Sequence, residues 1–174
     1  MSSPAKTIIG LTGGMGSGKT TISKHMGGTV ISFATPLKKM LAALGLTYEQ
    51  LYGSEKGIPL DLLGGRTPRE AMQSLGTEWG RRLVADELWL FAWKKAMDES
   101  PHDLIICDDV RFPNEVEFLR SLGGEVVALV RPGLKTFSAH ISEQLDFIQH
   151  KVKIISNDDT PEKVALKVRS ALTS

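Results

Sequence analysis

A single cysteine, Cys107, stands in 174 residues, so no disulfide can close within the chain. It sits in an apolar run and reads as a buried, inert thiol of a reducing compartment. Long apolar runs are missing too. Nothing approaches the roughly 18 consecutive apolar residues of a membrane span, and Met1 to Lys6 has no signal-peptide core. A cytoplasmic protein with no membrane partner is expected. An excess of one charge is also absent: 21 Lys and Arg face 20 Asp and Glu. No general positive field exists to hold a nucleic-acid polymer. Internal repeats and low-complexity stretches are lacking. What remains, 41% hydrophobic and 24% charged residues, is the make-up of one ordinary globular domain over 1–174.

Along the chain, Thr7 to Thr12 is a short apolar, β-branched run, followed by a glycine cluster and a helical stretch, Thr20 to Met26. Thr29 to Ala34 reads as a second strand, and Leu37, Met40, Leu41 and Leu44 recur at helical spacing. Glycines and prolines break the pattern from Gly45 to Gly65, with room for a short helix at Thr47 to Tyr52. Thr67-Pro68-Arg69-Glu70 joins a Thr cap, a Pro at the first helical position and a Glu three residues on: a capping box. The helix it opens should run towards Val84, bent near Gly76 and Gly80, with another over Glu87 to Asp98.

Leu104 to Cys107 is a fully apolar strand ending in Asp108-Asp109; Pro113 to Leu122 is helical, and Val126 to Val130 and Val152 to Ser156 are strands. Thr160 caps a last helix. Strands alternating with helices predict an α/β, three-layer sandwich: a mainly parallel sheet with helices on both faces.

Gly13-Gly14-Met15-Gly16-Ser17-Gly18-Lys19-Thr20 satisfies G-x-x-x-x-G-K-[ST], a match expected by chance in only about one in a hundred chains this long. It follows a strand and precedes a helix, the setting in which backbone N–H groups converge on an anion. The loop, with Thr21 behind it, is therefore expected to bind the phosphates of a nucleoside triphosphate, ATP above all. Lys19 would reach the β- and γ-phosphates and the Thr20 hydroxyl would ligate Mg²⁺. A plain glycine turn gives no reason for Lys-Thr at that point. A dinucleotide site is disfavoured, because the third glycine of its fingerprint would fall on Lys19.

An enzyme of this kind needs an acid after another apolar strand, and Asp108-Asp109 supplies it; spacing does not decide between the two. Arg111 offers a phosphate clamp at the same strand end. Arg66, Arg69, Arg81 and Arg82 flank or occupy the capped helix, with Gln73 one turn beyond Arg69, which suits a second anion site for an acceptor monophosphate. Each arginine alone reads equally well as solvated surface. Trp79, Trp89 and Trp93 are candidates for stacking on a base, although aromatics at helical spacing are more often core. Arg131, Lys135 and His140 lie where a lid, 132–151, could close over a triphosphate.

Taken together, GLTGGMGSGKTT, SFATPLK, RTPREAMQSLGTEWGR, DVRFPNE, RPG, HISE and IISND span nearly the whole chain, and in them it resembles the phage-type deoxynucleoside monophosphate kinases. The resemblance implies five parallel strands and transfer of the ATP γ-phosphate to a (deoxy)nucleoside monophosphate, in host cytoplasm if phage-encoded. It implies an acceptor-binding helical insertion over 45–100, with Arg66, Arg69, Gln73 and Trp79 near the acceptor. Asp109 and Arg111 would lie at the reaction centre, Arg131 on the donor phosphates and Asn157 near adenine. Relatives often carry an acid where this sequence has Thr35, which makes Thr35 a candidate acceptor contact. Dimers are common in the family, so a homodimer is a further expectation. Rival readings are a kinase of another small acceptor such as dephospho-CoA, disfavoured by Arg66 to Arg81, and a GTPase-type switch or non-catalytic module. Asp61 to Gly64 matches D-x-x-G, but no N-K-x-D occurs.

Overall fold

The structure, a computed structural model, describes residues 6–133 and 152–172. Lys135, His140 and the expected lid beyond Gly133 lie outside the described residues. The chain divides into two compact units, Met1–Ser32 with Met97–Ser174, and Phe33–Ala96.

The first unit carries a five-stranded sheet of β1 (Thr7–Thr12), β2 (Thr29–Val30), β3 (Leu104–Cys107), β4 (Glu125–Val130) and β5 (Lys153–Ser156), in the order β2-β3-β1-β4-β5. Every pairing is parallel, with Ile9 opposite Ile106 on one side of β1 and Leu11 opposite Val127 on the other. Alternation along β1 sends its two faces to different partners. Ile9 and Leu11 join Ile22 and Met26, in and just after α1 (Lys19–His25), and Val164, Ala165 and Val168 of α7 (Pro161–Leu172) in one buried cluster. The opposite face meets α6 (Pro113–Ser121): a Cβ added to Gly10 would come within 2.8 Å of Leu119 Cδ1, so only a glycine lets that helix pack this closely. Cys107 is fully buried, and burial pushes its thiol well above the ordinary range. It is the inert core thiol that its sequence context predicts.

The second strand is shorter than its apolar run suggests. Pairing continues one residue past Val30, through Ile31 N–H to the Ile106 carbonyl, and the Ser32 hydroxyl then turns to Asp108. Ala34 is already in the helical region and accepts from Lys38 N–H as the N-cap of α2 (Thr35–Ala43), so the last residues that propensity assigns to the strand form the turn into that helix.

The second unit is helical: α2, α3 (Tyr48–Leu51), two 3₁₀ turns (Ser54–Gly57 and Asp61–Leu63), α4 (Pro68–Gln73), a π-helical segment (Ser74–Val84) and most of α5 (Leu88–Glu99). Leu41, Leu46 and Leu51 form its small core with Leu60, Leu63, Ala71, Met72 and Leu75 around them. The capping box at α4 is present in full. Thr67 Oγ1 accepts from Glu70 N–H at 3.2 Å, and Glu70 Oε2 accepts from Thr67 N–H at 2.8 Å.

The bend expected near Gly76 and Gly80 takes the form of a wider winding, with Ala85 N–H bonding to the Gly80 carbonyl, five residues back. Trp89 accounts for it: its indole N–H donates to the Gly76 carbonyl at 2.7 Å, and its ring lies where a Cβ on Gly80 would sit, 2.5 Å from Cζ2. Among the described residues no helix is long and apolar enough to cross a membrane.

Candidate active site

A parallel sheet brings the carboxyl ends of all its strands to one edge, and ligands of such sheets bind at that edge. Here the edge collects the Gly13–Thr20 loop after β1, Ser32 just beyond β2, Asp108 to Arg111 after β3, Arg131 after β4 and Asn157 after β5.

The loop is held in a shape that L-residues resist. Gly13, Gly16 and Gly18 have φ of 136°, 82° and 94°. Gly13 passes so close to β4 that an added Cβ would be 2.3 Å from the Leu129 carbonyl oxygen. Inside the loop, Ser17 N–H donates to the Gly14 carbonyl at 3.1 Å. From the far end of the sequence, the Asn157 amide donates to the Ser17 carbonyl at 2.8 Å, while its backbone N–H is tied to the Val130 carbonyl at 2.7 Å. Asn157 is thus a strut of the loop, with its Nδ2 only 2.3 Å from where a Cβ on Gly18 would sit. Met15 and Gly16 at the tip are exposed, as are Thr20 and Thr21 in the first turn of α1.

Lys19 folds back across the loop, its ammonium donating to the Gly13 carbonyl at 2.7 Å, the Gly14 carbonyl at 3.0 Å and Ser17 Oγ at 3.4 Å. Burial lowers its pKa and the Arg111 guanidinium lowers it further, while Asp108 and Asp109 act in the opposite sense. Charges from a second motif thus act on the loop lysine.

Asp108 is buried and accepts from Ser32 Oγ at 2.6 Å, while Asp109 is half-buried and accepts from Cys107 Sγ at 3.5 Å. The next turn is anchored at both ends. Val110 N–H donates to the Leu11 carbonyl at 3.2 Å, and the N–H groups of Arg111 and Phe112 both donate to Glu115 Oε2, at 2.7 and 3.0 Å. Glu115 is 3% exposed, and nothing in the reading of single motifs gave it a role. Its spacing is the signal that could have: a glutamate three residues after a residue preceding proline is the acceptor half of a helix cap. Arg131 is exposed at the end of β4.

In the Phe33–Ala96 unit, an open groove of about 650 Å³ is lined by residues that include Arg66, Gln73 and Trp79, together with Glu70, Ser74 and Glu78. Three of the five candidate acceptor residues thus share one cavity, whereas Arg69 and Thr35 do not line it. Arg66 lies 3.7 Å from Glu70, an exposed pair that contributes little to stability. Of the three tryptophans, Trp89 and Trp93 are buried in the core and Trp79 alone is exposed, at 40%. Trp79 is the one of the three that lines the groove.

Among the described residues no three His, Cys, Asp or Glu side chains gather as a metal cage. Thr20 and Asp109 do offer hard oxygen donors, and Mg²⁺ takes few protein ligands because it keeps waters and substrate phosphate oxygens. The donor set fits Mg²⁺.

Comparison with known proteins shows which proteins the chain is similar to. The family model described as deoxynucleotide monophosphate kinase matches residues 66–168. A protein of Acanthamoeba polyphaga mimivirus bearing that kinase name is 34% identical over 187 residues, covering 95% of each chain. The deoxynucleotide monophosphate kinase of Enterobacteria phage T4 is 32% identical over 111 residues, 60% of this chain and 44% of its own. The deoxynucleoside-5'-monophosphate kinase of Escherichia phage T5 is 43% identical over 54 residues, 31% of this chain and 22% of its own. Among solved structures, TT1252 from Thermus thermophilus shares the fold with a TM-score of 0.54 at 16% identity, covering 98% of both chains.

Proposed function

The chain belongs to the deoxynucleotide monophosphate kinase family, and on that premise we propose how its residues carry out ATP-dependent phosphorylation of deoxynucleoside monophosphates. In the reaction an oxygen of the acceptor phosphate bonds to the γ-phosphorus of ATP as the bond to the β–γ bridging oxygen breaks. The products are ADP and a nucleoside diphosphate. The acceptor phosphate is already anionic, so the protein mainly positions the reactants and screens charge.

The Gly13–Thr20 loop takes the donor phosphates on its backbone N–H groups, and Lys19 transfers its ammonium from loop carbonyls to phosphate oxygens. Arg111 and Arg131 neutralise charge that develops on the transferred group. Thr20 and Asp109 would hold Mg²⁺, which when bound supplies Lewis-acid neutralisation of the phosphates. Asn157 braces the loop from a position beside the adenine. On the acceptor side, within the 45–100 insertion, Arg66 and Arg69 bind the monophosphate, Gln73 meets polar groups of the nucleotide and Trp79 stacks on the base, with Thr35 as a further contact.

The observation that carries this reading is the loop of positive-φ glycines with the Lys19 ammonium bonded inside it, at the sheet edge that also carries Asp108, Asp109 and Arg111. A product assay with ATP and each common ribo- and deoxyribonucleoside monophosphate tests it, with Lys19→Ala as control. Turnover of deoxynucleoside monophosphates, abolished by Lys19→Ala, is expected. Turnover confined to a non-nucleotide acceptor, or unchanged by the substitution, refutes it.

A further inference from the structure

We infer that Glu115 is the positioning residue for Arg111. The inference rests on the reading above, in which Arg111 acts on the transferring phosphate. The contacts behind it all lie within the first unit. Phe112 is the N-cap of α6 with an extended backbone, and a phenyl ring has no atom to accept a hydrogen bond from the helix's free N–H groups.

Glu115, three residues on, reaches back instead. One oxygen, Oε2, receives both the Arg111 and the Phe112 N–H, at 2.7 and 3.0 Å. A helix cap needs only the second of these. The first is a bond to the residue whose side chain serves the reaction, and it fixes the backbone from which the guanidinium projects.

The carboxylate is 3% exposed, and its charge is felt at Cys107 inside the sheet. Burying a carboxylate carries a desolvation cost that a surface cap avoids. Two charge-assisted bonds to consecutive N–H groups offset it and leave the turn with little freedom. With Val110 tied to Leu11 on one side and Arg111 tied to Glu115 on the other, the segment from Asp109 to Phe112 is held at both ends. The Arg111 guanidinium lowers the Lys19 pKa, so its charge reaches the loop.

Two substitutions separate positioning from mere stability. Glu115→Gln still presents an oxygen to both N–H groups, whereas Glu115→Asp keeps the charge but withdraws the oxygen by one methylene. The expected result is that Glu115→Asp lowers kcat roughly ten- to hundredfold, the scale of a misplacement approaching 1 Å, with the KM for ATP little changed. Glu115→Gln restores kcat to near the unsubstituted value.

A double-mutant cycle with Arg111→Ala, followed with γ-labelled ATP so that residual rates are read, completes the test. Once Arg111 is Ala, Glu115→Asp should cost no further rate. Equal losses for Asp and Gln, or a Glu115→Asp loss of the same size in the Arg111→Ala background, overturn the inference. If Arg111→Ala alone leaves kcat unchanged, the role given to Arg111 fails first, and Glu115 has nothing to position.

Discussion

Substituting Gly18 by Ala places a methyl group where the structure has no room and a side chain where the backbone disfavours one. The residue sits at φ 94°, ψ 8°, so an L-residue there costs about 1–2 kcal/mol. Its Cβ would lie 2.3 Å from Asn157 Nδ2, which must swing away and give up its 2.8 Å bond to the Ser17 carbonyl, a further ~0.5–1.5 kcal/mol. The free loop can relax, so the penalty is met when bound phosphates demand the native shape. Together the two effects predict a MgATP affinity lower by roughly ten- to a few hundredfold. The control is in the same loop. At Gly14 nothing lies within 4 Å of an added Cβ and φ is not positive, so Gly14→Ala should bind within about twofold of the unsubstituted chain. Isothermal titration of the three proteins with MgATP measures both. Equal losses at Gly14 and Gly18, or no loss at Gly18, refute the reasoning.

Three other outcomes follow from the same geometry. Gly80→Ala drives a methyl into the Trp89 ring, so despite the better helix propensity of alanine the chain should lose about 1–3 kcal/mol in urea unfolding followed by tryptophan fluorescence. A stabilised variant would show that Trp89 does not pack there. Because burial lowers the Lys19 pKa and its cation is the active form, activity is retained below that depressed value and lost as pH rises through it. The alkaline limb of kcat/KM for ATP should thus begin below the ordinary lysine range of 10.5, and Lys19→Arg should remove it from that range; an unchanged limb assigns it to another group. Arg66→Ala and Trp79→Leu should each raise the KM for the acceptor several-fold, on the order of 1 kcal/mol of lost contact, and leave MgATP binding by titration unaltered. A matching loss of MgATP affinity would remove both residues from the acceptor side.

Features that depend on neighbours in sequence were legible, and those that depend on distant partners were not. The Thr67–Glu70 capping box closes within four residues, so its letters suffice. The same holds for β1 and β3, whose apolar runs match the observed bounds, Thr7–Thr12 and Leu104–Cys107. The end of β2 was misjudged because Ser32 answers to Asp108, 76 residues away, and because α2 starts early. The winding after Gln73 was legible only as a bend, since its form depends on Trp89 reaching back to the Gly76 carbonyl. Among the tryptophans, helical spacing left Trp79, Trp89 and Trp93 equivalent, and burial alone separates them.

The glycine loop shows why a motif is less than a site. Its letters specify flexibility and a lysine, yet its shape is imposed from outside by the Leu129 carbonyl pressing on Gly13 and by Asn157, 140 residues from Ser17, holding that carbonyl. Both constraints come from β4 and the end of β5, which reach the loop because a parallel sheet aligns its carboxyl ends. Glu115 plays the same part for the neighbouring turn, locking from α6 a backbone that the strand alone would leave free. The charged groups thus sit on or beside short irregular segments, fastened by bonds from other elements of the fold. Preorganisation of this kind lets Lys19 and Arg111 stand near one another although like charges repel, with Asp108 and Asp109 offsetting part of that repulsion at Lys19. On the proposed function, a triphosphate entering between them would relieve the rest, so the cost of holding two cations together would become selectivity for a polyanion.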